Sequence, residues 1–185
     1  YILASARQEA GQLDGGVVGT VMTNLGLELA LQRLGIPFER TAVGDRFIHQ
    51  ALVKNGWVLG GEASGHLLCL DRASTGDGIV SALQVLQVVL QSGKGLAELT
   101  SAVKKMPQTM INVPVAADAK ARLGDSGPIK KAVAGIESTM NGCGRVILRP
   151  SGTEPLIRVT LEGEDAEQVS MLANELAEVV RRELS

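Results

Sequence analysis

The sequence predicts two α/β units in succession: a three-layer, mixed-sheet α/β domain and then a small α+β domain with the order β-α-β-β-α. Strand-like runs alternate with helix-like segments through the first hundred residues. Pro107 and Pro114 then bracket the run TMINV, where the pattern changes. We expect a helix remaining from a preceding domain at 1–13, the α/β domain at 14–108 and the α+β domain at 109–185.

Hydrophobic spacing and turn residues define the elements of the first domain. The predicted elements are a helix at 1–10, strands at 17–22 and 36–43, helices at 25–35 and 44–56, two strand-like runs within 57–70, a long helix at 77–91 and a weaker helix near 95–106. Asp45 and the TGDG stretch at 75–78 are expected to cap the helices that follow them. The apolar run at 79–90 is too short to span a membrane, so we expect a buried helix.

The second domain is predicted from shorter segments. The strand TMINV leads into a polar link at 116–127 that is a loop or partly helical. After the link the predicted elements are a helix near 128–140, the strand GRVILR, the loop RPSGTEP at 149–155, the strand LIRVTLEG and a last helix at about 165–184. The two strands on either side of RPSGTEP are short and close in sequence, which predicts a hairpin.

Composition excludes several classes of protein. The 185 residues carry a net charge of -2, which argues against a nucleic-acid partner. Aromatic residues are 2% of the chain, so a polar ligand must be held by hydrogen bonds and charges instead of by stacking. Cys69 and Cys143 have no CxxC spacing, so we expect reduced thiols in a cytoplasmic protein, with no metal site and no membrane span.

The loop RPSGTEP has the chemistry of an anion-binding turn. Pro150 cannot donate to a sheet ladder, so the preceding strand ends there. Backbone N–H groups around a glycine can form a nest for an anion, and Arg149 adds a planar fork suited to phosphate. The candidate phosphate ligands are Arg149, Ser151, Gly152, Thr153 and Arg158. The alternative is an ordinary hairpin turn, and Glu154 favours it unless the carboxylate points away from the anion.

A second polar cluster lies in GEASGH at 61–66. In an extended chain Glu62, Ser64 and His66 would point to one face. A carboxylate beside a hydroxyl can bind vicinal sugar hydroxyls, and His66 could donate a hydrogen bond or act as a proton relay. The alternative is a glycine-rich turn with incidental polar residues. Asp45 and Arg46, in the stretch VGDR, are further candidates for an active-site loop.

GEASGH followed by RPSGTEP resembles the α-D-phosphohexomutase superfamily. The flanking stretches VVGTVMTNLGLELALQRLGIPFERTAVGDR, STGDG and GTEPLIRV resemble its bacterial phosphoglucosamine mutases. The resemblance covers nearly the whole chain. Members of the family have four domains, and this chain resembles the third and fourth. The resemblance therefore implies that domains 1 and 2 are missing partners of this chain, and it leaves a homodimer open.

The resemblance also implies roles for the two motifs. GEASGH matches the sugar-binding loop, in which Glu62 and Ser64 would contact the hydroxyls O3 and O4, with His66 beside them. RPSGTEP matches the loop that holds the phosphate not being transferred. The family moves a phosphoryl group between O6 and O1 of a hexose phosphate through a 1,6-bisphosphate, and the glucosamine reaction supplies cell-wall precursors.

The family's phosphoserine and its Mg²⁺ ligands belong to domains 1 and 2. Neither motif occurs in this sequence, so no catalytic nucleophile and no metal ligand is assigned here, and we expect the chain to be inactive alone.

Three alternatives remain open on the sequence. Ala63 stands where many phosphoglucosamine mutases have Asn or Gln, which leaves phosphoglucomutase or phosphomannomutase activity as a second reading. A non-catalytic module that binds sugar phosphates would need the same two motifs. A structural α/β domain would use both motifs only as turns.

Overall fold

The computed structural model describes residues 1–116 and 118–184. It divides into two compact units, Tyr1–Lys105 and Met106–Ser185, close to the division expected between residues 108 and 109. Ala117, in the link predicted at 116–127, and Ser185, at the end of the predicted second domain, lie outside the described residues. Each unit is described by itself below.

The first unit is built on a four-stranded mixed sheet. Its elements in chain order are α1 (Ile2–Glu9), β1 (Val17–Thr20), α2 (Leu25–Arg33), β2 (Phe38–Thr41), α3 (Asp45–Asn55), β3 (Leu59–Gly61), β4 (Leu67–Cys69), α4 (Gly78–Ser92) and α5 (Leu96–Leu99). The strand order is β2-β1-β3-β4. Strand β1 is parallel to both of its neighbours, and β4 is antiparallel to β3.

Alternating side chains divide this unit into three layers. Val17 and Leu59 point to the face that packs against Leu3 of α1 and Leu31 of α2. Their neighbours along the strands face the other way and pack against α3, in a cluster that contains Val18, Ile48, Leu52 and Leu68. This is the period-2 pattern of a sheet covered on both faces. The predicted three-layer, mixed-sheet fold is confirmed, and the helix at 1–13 lies within this first unit.

Side chains cap the first turns of α2 and α4, and the cap predicted for α3 is corrected. Asn24 Oδ1 accepts from the Gly26 N–H at 3.0 Å, and Asp77 Oδ1 accepts from Ile79 and Val80, so Asp77 caps α4 as expected. Asp45 does not occupy the cap position of α3. Gly44 does, and Asp45 is the first helical residue, where a carboxylate is favoured by the helix dipole.

Helix α4 is less buried than predicted. Val85 and Val88 pack into the core, and the Arg7 guanidinium of α1 donates to Gln84 Oε1 at 2.6 Å. The opposite face is open, with Ile79 76% and Leu90 82% exposed. Polar Ser81 and Gln84 lie on the covered side and apolar residues lie on the open side, so the spacing of apolar residues did not indicate which side is covered. The helix predicted at 95–106 is also shorter, since only Leu96–Leu99 are helical.

The second unit is a two-layer α+β structure. Its elements are β5 (Gln108–Pro114), α6 (Ala119–Arg122), α7 (Gly127–Met140), β6 (Gly144–Pro150), β7 (Leu156–Gly163) and α8 (Ala166–Leu184). The sheet is antiparallel throughout, with β7 between β5 and β6. The predicted order is confirmed, with the short helix α6 in the link and a hairpin at RPSGTEP.

One face of this sheet carries the core. Val113, Ile157, Val159 and Leu161 pack against the apolar faces of α7 and α8. The residues between them point to the other face. There the Arg145 Nε lies 2.8 Å from Glu162 Oε2, and the Glu162 side chain is wholly buried. A buried carboxylate is tolerated because its partner compensates the lost hydration.

Neither cysteine forms a disulfide. Cys69 is buried in the first core and Cys143 is exposed, and both are free thiols. Among residues 1–116 and 118–184, no helix is both long and apolar enough to cross a membrane.

The buried pair gives a stability prediction. Replacing Arg145 with methionine leaves the Glu162 carboxylate buried without this partner, so the free energy of unfolding should fall by about 3–5 kcal/mol. Urea denaturation followed by circular dichroism measures the change. Arg181→Met is the matched control, because Arg181 pairs with Glu178 on the exposed face of α8 and its loss should cost less than about 1 kcal/mol. Equal effects of the two substitutions would contradict the assignment.

Candidate functional site

The polar residues predicted in the first unit follow strands β2 and β3. Strands β1, β2 and β3 are parallel, so their carboxyl ends lie at one edge of the sheet. Asp45 and Arg46 come shortly after β2, and Glu62 comes directly after β3. In open α/β sheets this edge is where ligands bind.

Glu62 and Ser64 lie together, but not as an extended strand would place them. Residues 62–65 form a tight turn between β3 and β4, closed by the Glu62 N–H donating to the His66 carbonyl at 3.0 Å and the Gly65 N–H donating to the Glu62 carbonyl at 3.0 Å. Gly65 has a φ of 91°, which few other residues adopt. The turn brings Ser64 Oγ within 3.0 Å of Glu62 Oε1, where the hydroxyl donates to the carboxylate. The predicted pairing is present, and its physical basis is the turn, not strand alternation.

His66 is held by a different set of neighbours. Its Nδ1 lies 3.5 Å from Asp45 Oδ2, so the carboxylate at the start of α3 lies beside the imidazole. The other ring nitrogen, Nε2, lies against Gly76, where an added Cβ would come within 1.7 Å of it. The TGDG stretch therefore does more than cap α4, because a side chain at Gly76 would displace His66.

Arg46 is not part of this cluster in the structure. Its guanidinium lies over the Phe47 ring, 4.4 Å from the centroid, and the residue is exposed. The candidates of the first unit therefore form two pairs, Glu62 with Ser64 and His66 with Asp45, at one hairpin.

In the second unit two arginines face each other across the hairpin. Arg149 on β6 is in register with Arg158 on β7. Directly opposite residues in an antiparallel pair share a face of the sheet, with Cβ atoms about 4.5–5.5 Å apart, and like charges in such a pair repel. Both arginines lie on the face opposite the helical core, because Ile157 and Val159 point into that core.

These two cations are incompletely satisfied. The Nε atoms of Arg149 and Arg158 are both buried and make no hydrogen bond within the part of the chain that the structure describes. Arg158 pairs with an acidic residue, since its Nη2 lies 3.1 Å from Glu154 Oε2. The carboxylate of Glu154 therefore points toward Arg158, and Arg149 has no ion-pair partner among the described residues.

The loop between the arginines is closed by its own backbone. The Ser151 N–H donates to the Leu156 carbonyl at 2.9 Å, and the Glu154 N–H donates to Ser151 Oγ at 3.2 Å. Ser151 is buried, while Gly152 and Thr153 are exposed at the tip. The N–H groups of Gly152 and Thr153 have no acceptor within residues 1–116 and 118–184. Free backbone N–H groups beside cationic side chains are donors of the kind that bind anions.

One residue at this loop was missed by sequence reasoning. The Lys120 ammonium on α6 donates to the Ser151 carbonyl at 2.7 Å and also to the Glu154 carbonyl. Lys120 lies in a link of small and polar residues with no motif around it. Sequence spacing gave no signal for this contact, because the two partners are 31 and 34 residues further along the chain.

No metal site is present in the part of the chain that the structure describes. Among those residues, no group of three or more His, Cys, Asp or Glu side chains is arranged to hold a metal ion. The polar groups of the two clusters suit hydroxyl and anionic ligands.

Two family descriptions match the chain along most of its length. Residues 1–106 match "Phosphoglucomutase/phosphomannomutase, alpha/beta/alpha domain III". Residues 110–179 match "Phosphoglucomutase/phosphomannomutase, C-terminal domain". The two matches divide the chain where the structure divides into two units.

Curated relatives agree with this assignment. The chain is 56% identical over 184 residues to the phosphoglucosamine mutase of Thioalkalivibrio sulfidiphilus, covering 97% of this chain and 40% of the relative. It is 54% identical over 181 residues to that of Thiobacillus denitrificans, covering 98% of this chain and 39% of the relative. The chain thus spans about 40% of the length of these relatives.

Solved structures support the fold. An Aspergillus fumigatus N-acetylphosphoglucosamine mutase, crystallised with GlcNAc-6P and magnesium, superposes with a TM-score of 0.80 at 23% identity, covering 100% of this chain and 42% of that one. An N-acetylglucosamine-phosphate mutase in a substrate complex gives a TM-score of 0.78 at 21% identity, covering 97% and 42%. The matches to two successive domains confirm the predicted resemblance: the chain belongs to the phosphoglucomutase/phosphomannomutase family and carries its domain III and C-terminal domain.

Proposed function

We propose that this chain is the sugar-phosphate-binding part of a phosphohexomutase that interconverts glucosamine 6-phosphate and glucosamine 1-phosphate. The names of the most similar curated relatives support the glucosamine substrate. In this proposal the chain belongs to a longer cytosolic protein, in which one preceding domain supplies the phosphorylated serine and another supplies the Mg²⁺ ligands. The reaction proceeds through glucosamine 1,6-bisphosphate.

The observation that carries the proposal is the unsatisfied arginine pair. A buried N–H group without an acceptor costs about 1–3 kcal/mol, and Arg149 and Arg158 each have one. Like charges in register add to that cost. A phosphate dianion would remove both penalties, since its oxygens accept from the guanidinium forks and from the N–H groups of Gly152 and Thr153. Ser151 supports the loop from within, since its Oγ accepts from the Glu154 N–H.

The hairpin after β3 supplies the second half of substrate binding. The Glu62 carboxylate has lone pairs beyond the one that Ser64 uses, so it can accept from two neighbouring sugar hydroxyls. His66, held by Asp45, can donate to the sugar or to a phosphate oxygen. In a reaction whose intermediate must present each end in turn, the anion loop would hold the distal phosphate and the hairpin would hold the ring. Positioning of this kind is most of what phosphoryl transfer requires.

Magnesium belongs to the family chemistry, and a related mutase was crystallised with it. The described residues of this chain do not fit a magnesium site, because they contain no cluster of metal-binding side chains. We therefore derive no step of the reaction through the metal from this chain.

A phosphoglucomutase or phosphomannomutase is the second candidate. It is favoured by Ala63, which places a methyl group instead of a polar group in the sugar-binding turn, and by the family description itself. Comparing kcat/KM of the full-length protein for glucosamine 6-phosphate, glucose 6-phosphate and mannose 6-phosphate decides between them. A higher kcat/KM for glucose 6-phosphate or mannose 6-phosphate would overturn the glucosamine assignment. It would not contradict the proposed role of the anion loop.

The anion loop makes a prediction for the 185-residue chain. Arg149→Met removes a free cation and relieves the repulsion with Arg158, so Tm without ligand should rise or stay the same. The Kd for glucosamine 6-phosphate should increase about tenfold or more, because one charge-assisted bond of about 1.5–3 kcal/mol is lost. NMR titration measures Kd and calorimetry measures Tm. Arg182→Met on the exposed face of α8 is the control and should change neither.

If Arg149→Met binds glucosamine 6-phosphate as tightly as the unmodified chain does, the loop at 149–155 is not the phosphate-binding site. A fall in Tm large enough to explain the weaker binding would assign Arg149 a structural role instead.

The hairpin makes a prediction for the full-length mutase. Glu62→Gln keeps the shape of the side chain but removes the charge that accepts from the sugar hydroxyls. We expect kcat/KM for glucosamine 6-phosphate to fall about tenfold. Inhibition by inorganic phosphate should not change, because inorganic phosphate has no sugar hydroxyls to offer. Glu9→Gln, on exposed α1, is the control.

Steady-state kinetics that show Glu62→Gln and Glu9→Gln to be equally active would exclude Glu62 as a sugar ligand. Weaker inhibition by phosphate in Glu62→Gln would instead mean that the substitution disturbs the protein more widely.

A further inference from the structure

Lys120 joins a helix outside both sequence motifs to the loop at 149–155. Its ammonium donates to the carbonyl of Ser151, at 2.7 Å, and to the carbonyl of Glu154. These are the first and last residues of the turn that the Glu154 N–H closes onto Ser151 Oγ. Lys120 therefore binds both ends of the part of the loop that contains Gly152 and Thr153.

Peptide planarity turns this contact into a constraint on the anion-binding donors. The Ser151 carbonyl and the Gly152 N–H belong to one planar trans peptide, so they point in opposite directions. With the carbonyl directed at Lys120, the Gly152 N–H must point away from Lys120. The Gly152 N–H is one of the two free donors at the tip of the loop.

The same contact affects the charge at the loop. A carbonyl oxygen near a phosphate repels it, and binding two carbonyls to an ammonium directs them away and compensates their partial charge. The Glu154 carboxylate pairs with Arg158 at 3.1 Å and would oppose an anion at this loop. The positive charge of Lys120 offsets the charge of that carboxylate. A lysine suits this task, since its ammonium has three donors and can hold two carbonyls at once.

We propose that Lys120 is a positioning residue for phosphate binding: by holding the carbonyls of Ser151 and Glu154, it orients the Gly152 N–H toward the anion. This inference rests on the anion-binding function proposed above. Lys120 acts through the backbone of the loop and does not itself contact the phosphate.

The experiment is an NMR titration of the 185-residue chain with inorganic phosphate, following the backbone amides of Gly152 and Thr153. Lys120→Met should raise the Kd about tenfold and shift both amides before phosphate is added. Lys120→Arg, which can still donate to two carbonyls, should restore the Kd to within about threefold. Lys130→Met is the matched control, because Lys130 is exposed on α7 and carries the same charge in the same unit. It should leave Kd and amide shifts unchanged.

Each possible result supports or overturns the positioning role of Lys120. An unchanged Kd for Lys120→Met overturns the positioning role and leaves the anion loop intact. Equal weakening by Lys120→Met and Lys130→Met would mean that net charge, not loop geometry, controls binding, which also overturns it. If phosphate fails to shift Gly152 and Thr153 in the unmodified chain, the proposed function fails first. Should Lys120→Met not fold, Lys120→Ala replaces it in the same comparison, since alanine also removes the donors and is a good helix former.

Discussion

The second unit holds two arginines in register at the end of a hairpin, and the proposed function depends on this pair. The β6–β7 pairing places Arg149 opposite Arg158. Ile157 and Val159 flank Arg158 and point into the core, so both arginines lie on the opposite face. A shift of the strand register cannot separate the two arginines. A shift by one residue would turn the apolar side chains of a strand from the core to the solvent. The core of the second unit thus keeps two cations at the mouth of a loop with free N–H groups.

Both candidate sites follow the same construction: a strand ends, and a short turn presents polar groups from a rigid base. At the hairpin after β3 the turn directs a hydroxyl onto a carboxylate, and α3 places Asp45 beside His66. At the hairpin after β6, α6 supplies Lys120 to hold two carbonyls. A contact of this kind, from a residue distant in sequence, orients the groups that would meet a ligand, which lowers the entropy cost of binding.

The limits of sequence reasoning were set by which interactions are local. Asp77 acts within one turn of its own helix, so its cap was predictable. The pairing of Glu62 with Ser64 was expected for the wrong reason, because a turn and a strand can place residues i and i+2 together. The position of Asp45 was wrong by one residue. The contact of Lys120 and the open face of α4 depend on which distant segments pack together, and spacing along the chain carries no information about that.

The most direct test of the central claim is a crystal structure of this chain with glucosamine 6-phosphate. We predict a phosphate group at the tip of the 149–155 loop, accepting from the Gly152 and Thr153 N–H groups and from the Nε atom of Arg149. A phosphate bound elsewhere, with the Nε atoms of Arg149 and Arg158 still unsatisfied, would contradict it.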